Sequence, residues 1–228
     1  MSEWQSQSTV EEYAAKAVDP IIGWYEHEVN FPDLVRLIPK DTHSLLDFGS
    51  GPGEFTKKLT TRVPQVTGAD MVPMLTIARK KYPNINFVEW NGVDSIPAEL
   101  GTFDVVFSKL TLQFIEDLDT LASNFSKLLN PHGALIFSVP NPKKIASKFK
   151  LDLDTVAFYD DEIGDTGIKI HPIHRPKRIY VEAFERGGFN LVETSEPKVP
   201  ESLFEKYNVP EVYKTTPSRL NFKFIKSN

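Results

Sequence analysis

Residues 44–53 read SLLDFGSGPG, and no other stretch of the chain limits its fold as much. An apolar run, Leu45 to Phe48, enters the glycines Gly49, Gly51 and Gly53, and a helical pattern runs on from Glu54 to Thr61. Pro52 suits the first turn of that helix. Glycines let a ligand approach the backbone where a Cβ would collide. A strand, a glycine turn and a helix open a crossover unit. In an open parallel sheet, ligands sit beyond the carboxyl ends of the strands.

The same order repeats downstream. Gln65 to Ala69 reads as a strand, Pro73 to Lys81 as a helix, and Ile85 to Val88 and Phe103 to Phe107 as strands. Leu118 to Leu129 reads as a helix closed by Asn130 to Gly133, and Ala134 to Val139 as a strand. Strands alternating with helices imply crossover connections and a parallel sheet. Upstream, Tyr13, Val18, Ile21, Ile22, Tyr25, Val29, Leu34, Leu37 and Ile38 recur at spacings of three and four, the period of helices. From Asn141 to about Arg175 no clean period holds, so this reads as an insertion with one or two helices. A helix from Lys177 to Arg186, closed by Gly187 and Gly188, follows. Phe189 to Thr194 and Leu220 to Ile225 read as two strands, the last one antiparallel.

Composition removes several classes. Among 228 residues, 16 Phe, 7 Tyr and 3 Trp are too many for a disordered chain. A net charge of −5 disfavours a general nucleic-acid binder. The absence of Cys removes disulfides, thiolate zinc sites and a cysteine nucleophile. Met1 to Glu12 is polar, so no signal peptide is expected there. No apolar run nears the roughly 20 residues that span a bilayer. A cytoplasmic protein with no membrane association is expected.

Two carboxylates qualify the glycine turn. A dinucleotide fingerprint, G-x-G-x-x-G, wants a third glycine where this chain has Glu54, and it offers a helix N-terminus to a pyrophosphate. A carboxylate there would repel a phosphate, which favours a phosphate-free nucleoside. Asp70 ends the second strand about 20 residues beyond Asp47, where a carboxylate can accept both hydroxyls of a ribose. Asn91, after the third strand, offers a donor and an acceptor to an adenine edge; equally it suits a turn before Gly92.

In these stretches the chain resembles the class I S-adenosylmethionine (SAM) dependent methyltransferases, in particular the broad small-molecule, type 11-like group. The matching segments are Leu45 to Gly53, VTGADMVPMLTIAR from Val66, Phe87 to Pro97, FDVVFSKLTLQFIED from Phe103, and PHGALIFSVPNP from Pro131. The resemblance covers Thr42 to Val139 well and the tail loosely. It implies a Rossmann-like α/β fold: a seven-stranded, mostly parallel sheet with helices on both faces, the last strand antiparallel, and a helical cap. The expected divisions are a helical lid over residues 1–40, a SAM-binding core over 41–140, a cap over 141–176, and a helix with closing strands over 177–228. It also implies that Asp47, Gly49, Ser50 and Gly51 hold the methionine end, Asp70 the ribose, and Met71 and Asn91 the adenine. Gly92 and Val93 would continue that loop, and Ser108 would sit near the methionine end. Gln113 stands where many relatives carry His.

Methyl transfer needs an aligned, water-poor site and, for an alcohol or phenol acceptor, a base. His171 and His174, near the end of the cap, are candidate bases because an ordinary imidazole titrates near neutral pH. Tyr13 joins them as a catalytic candidate from the N-terminal lid, beside Tyr25. Phe149, Phe158 and Tyr159 are candidate walls of an acceptor pocket. No metal site is expected: His171-x-x-His174 lacks the Glu of a zincin, and Asp160-Asp161-Glu162 reads as a solvated run. The expected function is methyl transfer from SAM to a small organic acceptor, on oxygen or nitrogen, by a monomer or homodimer. The rivals are a non-catalytic SAM binder, an RNA or protein methyltransferase, and an NAD-type oxidoreductase.

Overall fold

The computed structural model of the chain describes residues 6–16, 23–163 and 166–227. Val18, Ile21 and Ile22 of the N-terminal pattern lie outside the described residues. In chain order come α1 (Gln7–Lys16), a π-helical turn (Glu26–Asn30) that runs directly into α2 (Phe31–Leu37), and β1 (Ser44–Phe48). Then follow α3 (Glu54–Leu59), β2 (Gln65–Asp70), α4 (Val72–Lys81), β3 (Asn86–Glu89) and β4 (Phe103–Lys109). A 3-10 turn (Leu112–Phe114) leads to α5 (Leu118–Leu128), β5 (Leu129–Pro140) and α6 (Pro142–Phe149). Four two-residue strands make up the middle of the cap: β6 (Ala157–Phe158), β7 (Asp161–Glu162), β8 (Lys169–Ile170) and β9 (Ile173–His174). The chain closes with α7 (Lys177–Arg186), β10 (Phe189–Ser195), α8 (Glu211–Thr215) and β11 (Arg219–Lys226).

Seven strands form one sheet in the order β10-β11-β5-β4-β1-β2-β3. β1, β2, β3, β4 and β5 pair in parallel. β11 slots between β5 and β10 and runs antiparallel to both. This is the sheet expected from the sequence, including its reversed last strand. Because strand side chains alternate by face, Leu45 and Leu46 enter opposite cores. Leu45, Val105, Phe107 and Ile136 meet α2 and α3 on one face. Leu46, Val106, Phe137, Phe222 and Phe224 meet α5 and α7 on the other. Both faces are covered, so these strands read as continuous apolar runs.

Local signals set the ends of the helices. The Asp117 side chain accepts from the Thr120 N–H and starts α5, and Asn141 does the same for α6 from Lys143. The sequence reading let α5 run into a turn at Asn130 to Gly133. Instead Leu129 already pairs with Phe103, and the register jumps from there to Val105–Ala134. The Asp104 carboxylate accounts for this: it accepts from Asn130 Nδ2 (2.8 Å) and from the His43 and Ser44 N–H groups, tying the start of β1 to the same spot. Among the described residues the insertion holds one helix, α6, within the expected one or two, and its short strands fall below any readable period.

Phe137 anchors the aromatic core of the second face. Its ring lies 4.7 Å from Phe222 and 5.1 Å from Phe184, with Tyr180 and Phe224 each at 5.9 Å. Phe137→Ala should therefore destabilise the fold by about 3–5 kcal/mol through lost burial and the cavity left behind. Val192→Ala, at a 58% exposed position on β10, should change stability by no more than about 0.5 kcal/mol. Urea unfolding of both variants checks this; comparable losses would show that the core is not centred on Phe137.

Candidate active site

The site is built on the turn after β1. Gly49 takes φ +75°, and a Cβ there would lie 1.9 Å from Thr111 Oγ1. Glycine is thus required twice, by the turn itself and by the close approach of the loop that leaves β4. The Gly49 and Ser50 N–H groups both donate to the Ala69 carbonyl, at 2.8 and 3.1 Å, which ties the turn to β2. Asp70, next in the chain, completes the tie: its Oδ2 accepts from the Gly51 N–H and its Oδ1 from the Met71 N–H, each at 2.7 Å. Burial pushes the Asp70 carboxyl up to about 6 in spite of these bonds. Asp47 lies deeper, 2% exposed, accepting from Thr56 Oγ1 at 2.6 Å; burial raises it to about 6 as well.

Above this turn opens a crevice of about 260 Å³, small for a small-molecule site. Gly49, Gly51 and Asp70 form its floor; Met71, Met74, Trp90 and Asn91 flank one end, and Lys109, Thr111, Phe114 and Ile115 the other. Tyr13 of α1 closes it from above, with Cε1 3.9 Å from where a Cβ on Gly51 would stand. Burial, with Glu26 and Asp70 nearby, raises the Tyr13 phenol above its ordinary range, so it keeps its proton at neutral pH. Arg175 braces the β4 exit from behind, donating to the carbonyls of Leu112, Ile115 and Glu116.

Charges collect beside the Lys109 end. Glu26 accepts from Arg219 Nε at 2.7 Å and from Asn30 Nδ2 at 2.8 Å, and it faces Lys109 Nζ at 3.5 Å. Burial works against its charge, but Arg219 and Lys109 outweigh burial and hold the carboxyl near 2. Lys109 is held below the ordinary lysine range by burial. No motif singles out Lys109, Glu26 or Thr111 in the sequence. The available signal for Lys109 is a cation closing a strand whose middle, Val105-Val106-Phe107, is apolar.

The structure gathers some of the expected residues and disperses others. Gly49, Gly51, Asp70, Met71, Asn91 and Tyr13 line the crevice, and Asp47 and Ser50 support it from below. Asn91 turns its amide inward: Oδ1 accepts from the Val93 and Asp94 N–H groups and Nδ2 donates to Asp94, so the side chain forms the turn. Gly92 packs against the Phe48 ring and its carbonyl accepts from Asn124; neither it nor Val93 lines the crevice. Ser108 points to the sheet face opposite Lys109 and is fully buried. His171 stands on the surface beside Asp160, and His174 is buried in β9, behind the 3-10 turn. Neither histidine lines the crevice. Tyr25, expected on the lid beside Tyr13, donates to the Pro197 carbonyl away from the crevice, and Phe158, expected as a pocket wall, is 64% exposed. The Phe149 and Tyr159 rings meet at 4.7 Å, tilted by 42°, within the cap. Asp161 pairs with Lys148 and Glu162 with the Gly167 N–H, so this acidic run holds the cap together. Glu54 turns from the crevice to Lys81 and Tyr82, both at 2.7 Å. Asp70, not Glu54, is the carboxylate that faces an incoming ligand.

Comparison with known proteins places the fold among relatives. Residues 46–137 match the family model described as a methyltransferase domain. An uncharacterized methyltransferase of Mycobacterium tuberculosis is 35% identical over 105 residues, covering 45% of this chain and 53% of that protein. Trans-aconitate 2-methyltransferase of Escherichia coli is 32% identical over 116 residues, covering 47% of this chain and 43% of its own. The matches thus span about half the length of these curated relatives. Among solved structures, a SAM-dependent methyltransferase from Mesorhizobium loti superposes with a TM-score of 0.66 at 21% identity, over 86% of this chain and 96% of that one. The N-methyltransferase NodS from Bradyrhizobium japonicum, in complex with S-adenosylhomocysteine (SAH), gives 0.62 at 15% identity, over 96% and 99%.

Residues 46–137 thus resemble a methyltransferase domain, and the fold is one shared with solved SAM-dependent methyltransferases.

The crevice fits an adenosyl cofactor on its own chemistry. Each Asp70 oxygen keeps a lone-pair direction free after accepting one backbone N–H, enough for the two hydroxyls of a ribose. Met71, Met74 and Trp90 offer an apolar slot for a base. The Asp70 carboxylate over the Gly51 N–H would repel a pyrophosphate at this turn.

Asp47 and Asp70 give the domain an unusual response to acid. Folded, each binds a proton near pH 6; unfolded, near the ordinary 3.8. Between these values the folded state holds more protons, so these two groups make stability rise as pH falls from 7 towards 4. Glu26 acts in the opposite sense but lower down: its contribution is present above pH 4.5 and fades as pH falls towards 2. Ligand-free protein should gain on the order of 4 kcal/mol, about 2 from each carboxyl, relative to the Asp47→Asn/Asp70→Asn variant, between pH 7.5 and 4.5. Chemical denaturation at several pH values measures this, and parallel curves for the two proteins would contradict it.

Proposed function

We propose that this protein transfers a methyl group from SAM to a small organic acceptor, on oxygen or nitrogen. The observation that carries this reading is the Asp70 carboxylate hydrogen-bonded to the glycine turn at the floor of a crevice closed by Tyr13. Bound there, SAM would supply an electrophilic methyl on a sulfonium. Asp70 would hold the ribose hydroxyls, and Met71, Met74 and Trp90 would enclose the adenine. Asp47, Gly49, Ser50 and Gly51 would hold the methionine end. Tyr13 would exclude water and, keeping its proton, donate a hydrogen bond rather than act as a base. Residues 1–40 serve in this reading as the lid, 41–140 as the SAM-binding core, 141–176 as the cap and 177–228 as the closing part of the sheet.

No imidazole lines the crevice, so the acceptor is best read as one that arrives already nucleophilic. The relatives' names favour small molecules: trans-aconitate 2-methyltransferase of Escherichia coli, and demethylmenaquinone methyltransferase of Chlorobaculum tepidum. A net charge of −5 disfavours RNA as the acceptor. Among the described residues no helix is long and apolar enough to cross a membrane.

Asp70→Ala should weaken SAH binding by about 1–3 kcal/mol through lost charge-assisted hydrogen bonds. Calorimetry measures this, and unchanged affinity would remove Asp70 from the ribose site. Incubation with SAM and fractionated metabolites, followed by mass spectrometry, tests the reaction. A product heavier by one methyl supports it. SAH binding with no methylated product in any fraction would favour a non-catalytic binder.

A further inference from the structure

Lys109 closes β4 on the same sheet face as Asp47. Asp47 pairs in register with Phe107, and Lys109 lies two residues further on, so alternation brings the two side chains to one face at the carboxyl edge. An ammonium and a carboxylate thus stand on adjacent strands at the same end of the crevice. Lys109 lines the open space, and Asp47 lies beneath it.

Within the protein Lys109 is only loosely neutralised. Its side chain is 10% exposed, yet the one ion pair it makes among the described residues is the 3.5 Å contact to Glu26. Glu26 is already engaged by Arg219 and Asn30 at 2.7 and 2.8 Å. The ammonium also lies over the Phe55 ring, 4.2 Å from its centroid, and it feels the buried Asp47 carboxylate and the Arg219 guanidinium without a contact to either. A ring face attracts a cation but accepts no N–H in the way an oxygen does, and an ammonium carries three. A buried charge left in this state is costly unless a partner arrives. The wall it occupies opens onto the crevice.

We propose that the Lys109 ammonium is the anion-recognition element of the crevice, pairing with a carboxylate on a bound ligand. The inference rests on the reading of the crevice as an S-adenosyl site. The carboxylate has two sources. One is the amino-acid end of the cofactor, whose adjacent ammonium and carboxylate match Asp47 and Lys109 side by side. The other is a carboxylate on the methyl acceptor.

Calorimetry on the wild type, Lys109→Met and Lys109→Arg separates these sources. The ligands are SAH, 5′-methylthioadenosine, which lacks the amino-acid end, and succinate or benzoate added to SAH-loaded protein. If the cofactor supplies the carboxylate, Lys109→Met loses on the order of tenfold or more in SAH affinity, binds methylthioadenosine as before, and Lys109→Arg retains most SAH affinity. If the acceptor supplies it, SAH affinity holds and Lys109→Met loses the binding of succinate or benzoate seen with the wild type. Equal losses for SAH and methylthioadenosine, or no change with any ligand, overturn the proposal. Should Lys109→Met not fold, Lys109→Gln takes its place in the same comparison. A wild type that binds neither adenosyl compound sinks the methyltransferase reading itself; a wild type that binds both, unaffected by the substitution, sinks only the role of Lys109.

Discussion

The carboxylate of Asp70 holds the glycine turn in shape. It takes the Gly51 N–H with one oxygen and the Met71 N–H with the other, while the Ala69 carbonyl beside it takes the Gly49 and Ser50 N–H groups. The tip of β2 therefore satisfies four backbone donors of two loops that would otherwise be unpaired near an apolar crevice. Unmade, each such bond in a buried place costs about 1–3 kcal/mol. The position of α3, the depth of the crevice floor and the approach of Thr111 to Gly49 all follow from that anchoring. An acidic residue at the end of β2 thus has a structural task even without a ligand, and the same oxygens retain the capacity to accept ribose hydroxyls.

Burial gives these carboxylates their character. Asp47 and Asp70 sit where charge is poorly solvated, and both are pushed up to about 6. Glu26 is just as deep, yet two cations hold it near 2. The difference lies in partners rather than in depth: hydroxyl and backbone donors offset part of the desolvation, whereas a guanidinium at 2.7 Å reverses it. Asp70 on the floor and Asp47 beneath it are carboxylates that a cationic ligand would help to ionise, while the Lys109 wall backs onto a fixed ion cluster.

The strand and helix order was legible because it rests on local signals. Strands covered on both faces show up as short apolar runs, glycines and prolines punctuate them, and Asp117 and Asn141 cap their helices within three residues. Asp47, the glycine turn and Asp70 are equally local, so their place at the carboxyl edge follows from the β–α order alone. The cap resists reading for the converse reason. Its strands are two residues long, below any period, and residues such as Phe158 and Tyr159, adjacent in sequence, meet opposite fates, one exposed and one buried. His171 and His174 carry a chemistry that suits catalysis, but their placement depends on how β9 packs behind the 3-10 turn, and no spacing rule encodes that.

The charge cluster shows most clearly where sequence patterns stop. Glu26, Lys109 and Arg219 come from the turn before α2, the end of β4 and the start of β11. Each looks like a solvated charge at the boundary of an element, because Lys, Arg and Glu are rarely buried unless paired. Only the placement of β11 against β5, which brings Arg219 opposite Pro140 at the carboxyl edge, turns three surface-like charges into an interior network. The reversed last strand thus does more than complete the sheet. It delivers the cation that neutralises Glu26 most closely, and so leaves Lys109 as the less satisfied charge facing the crevice.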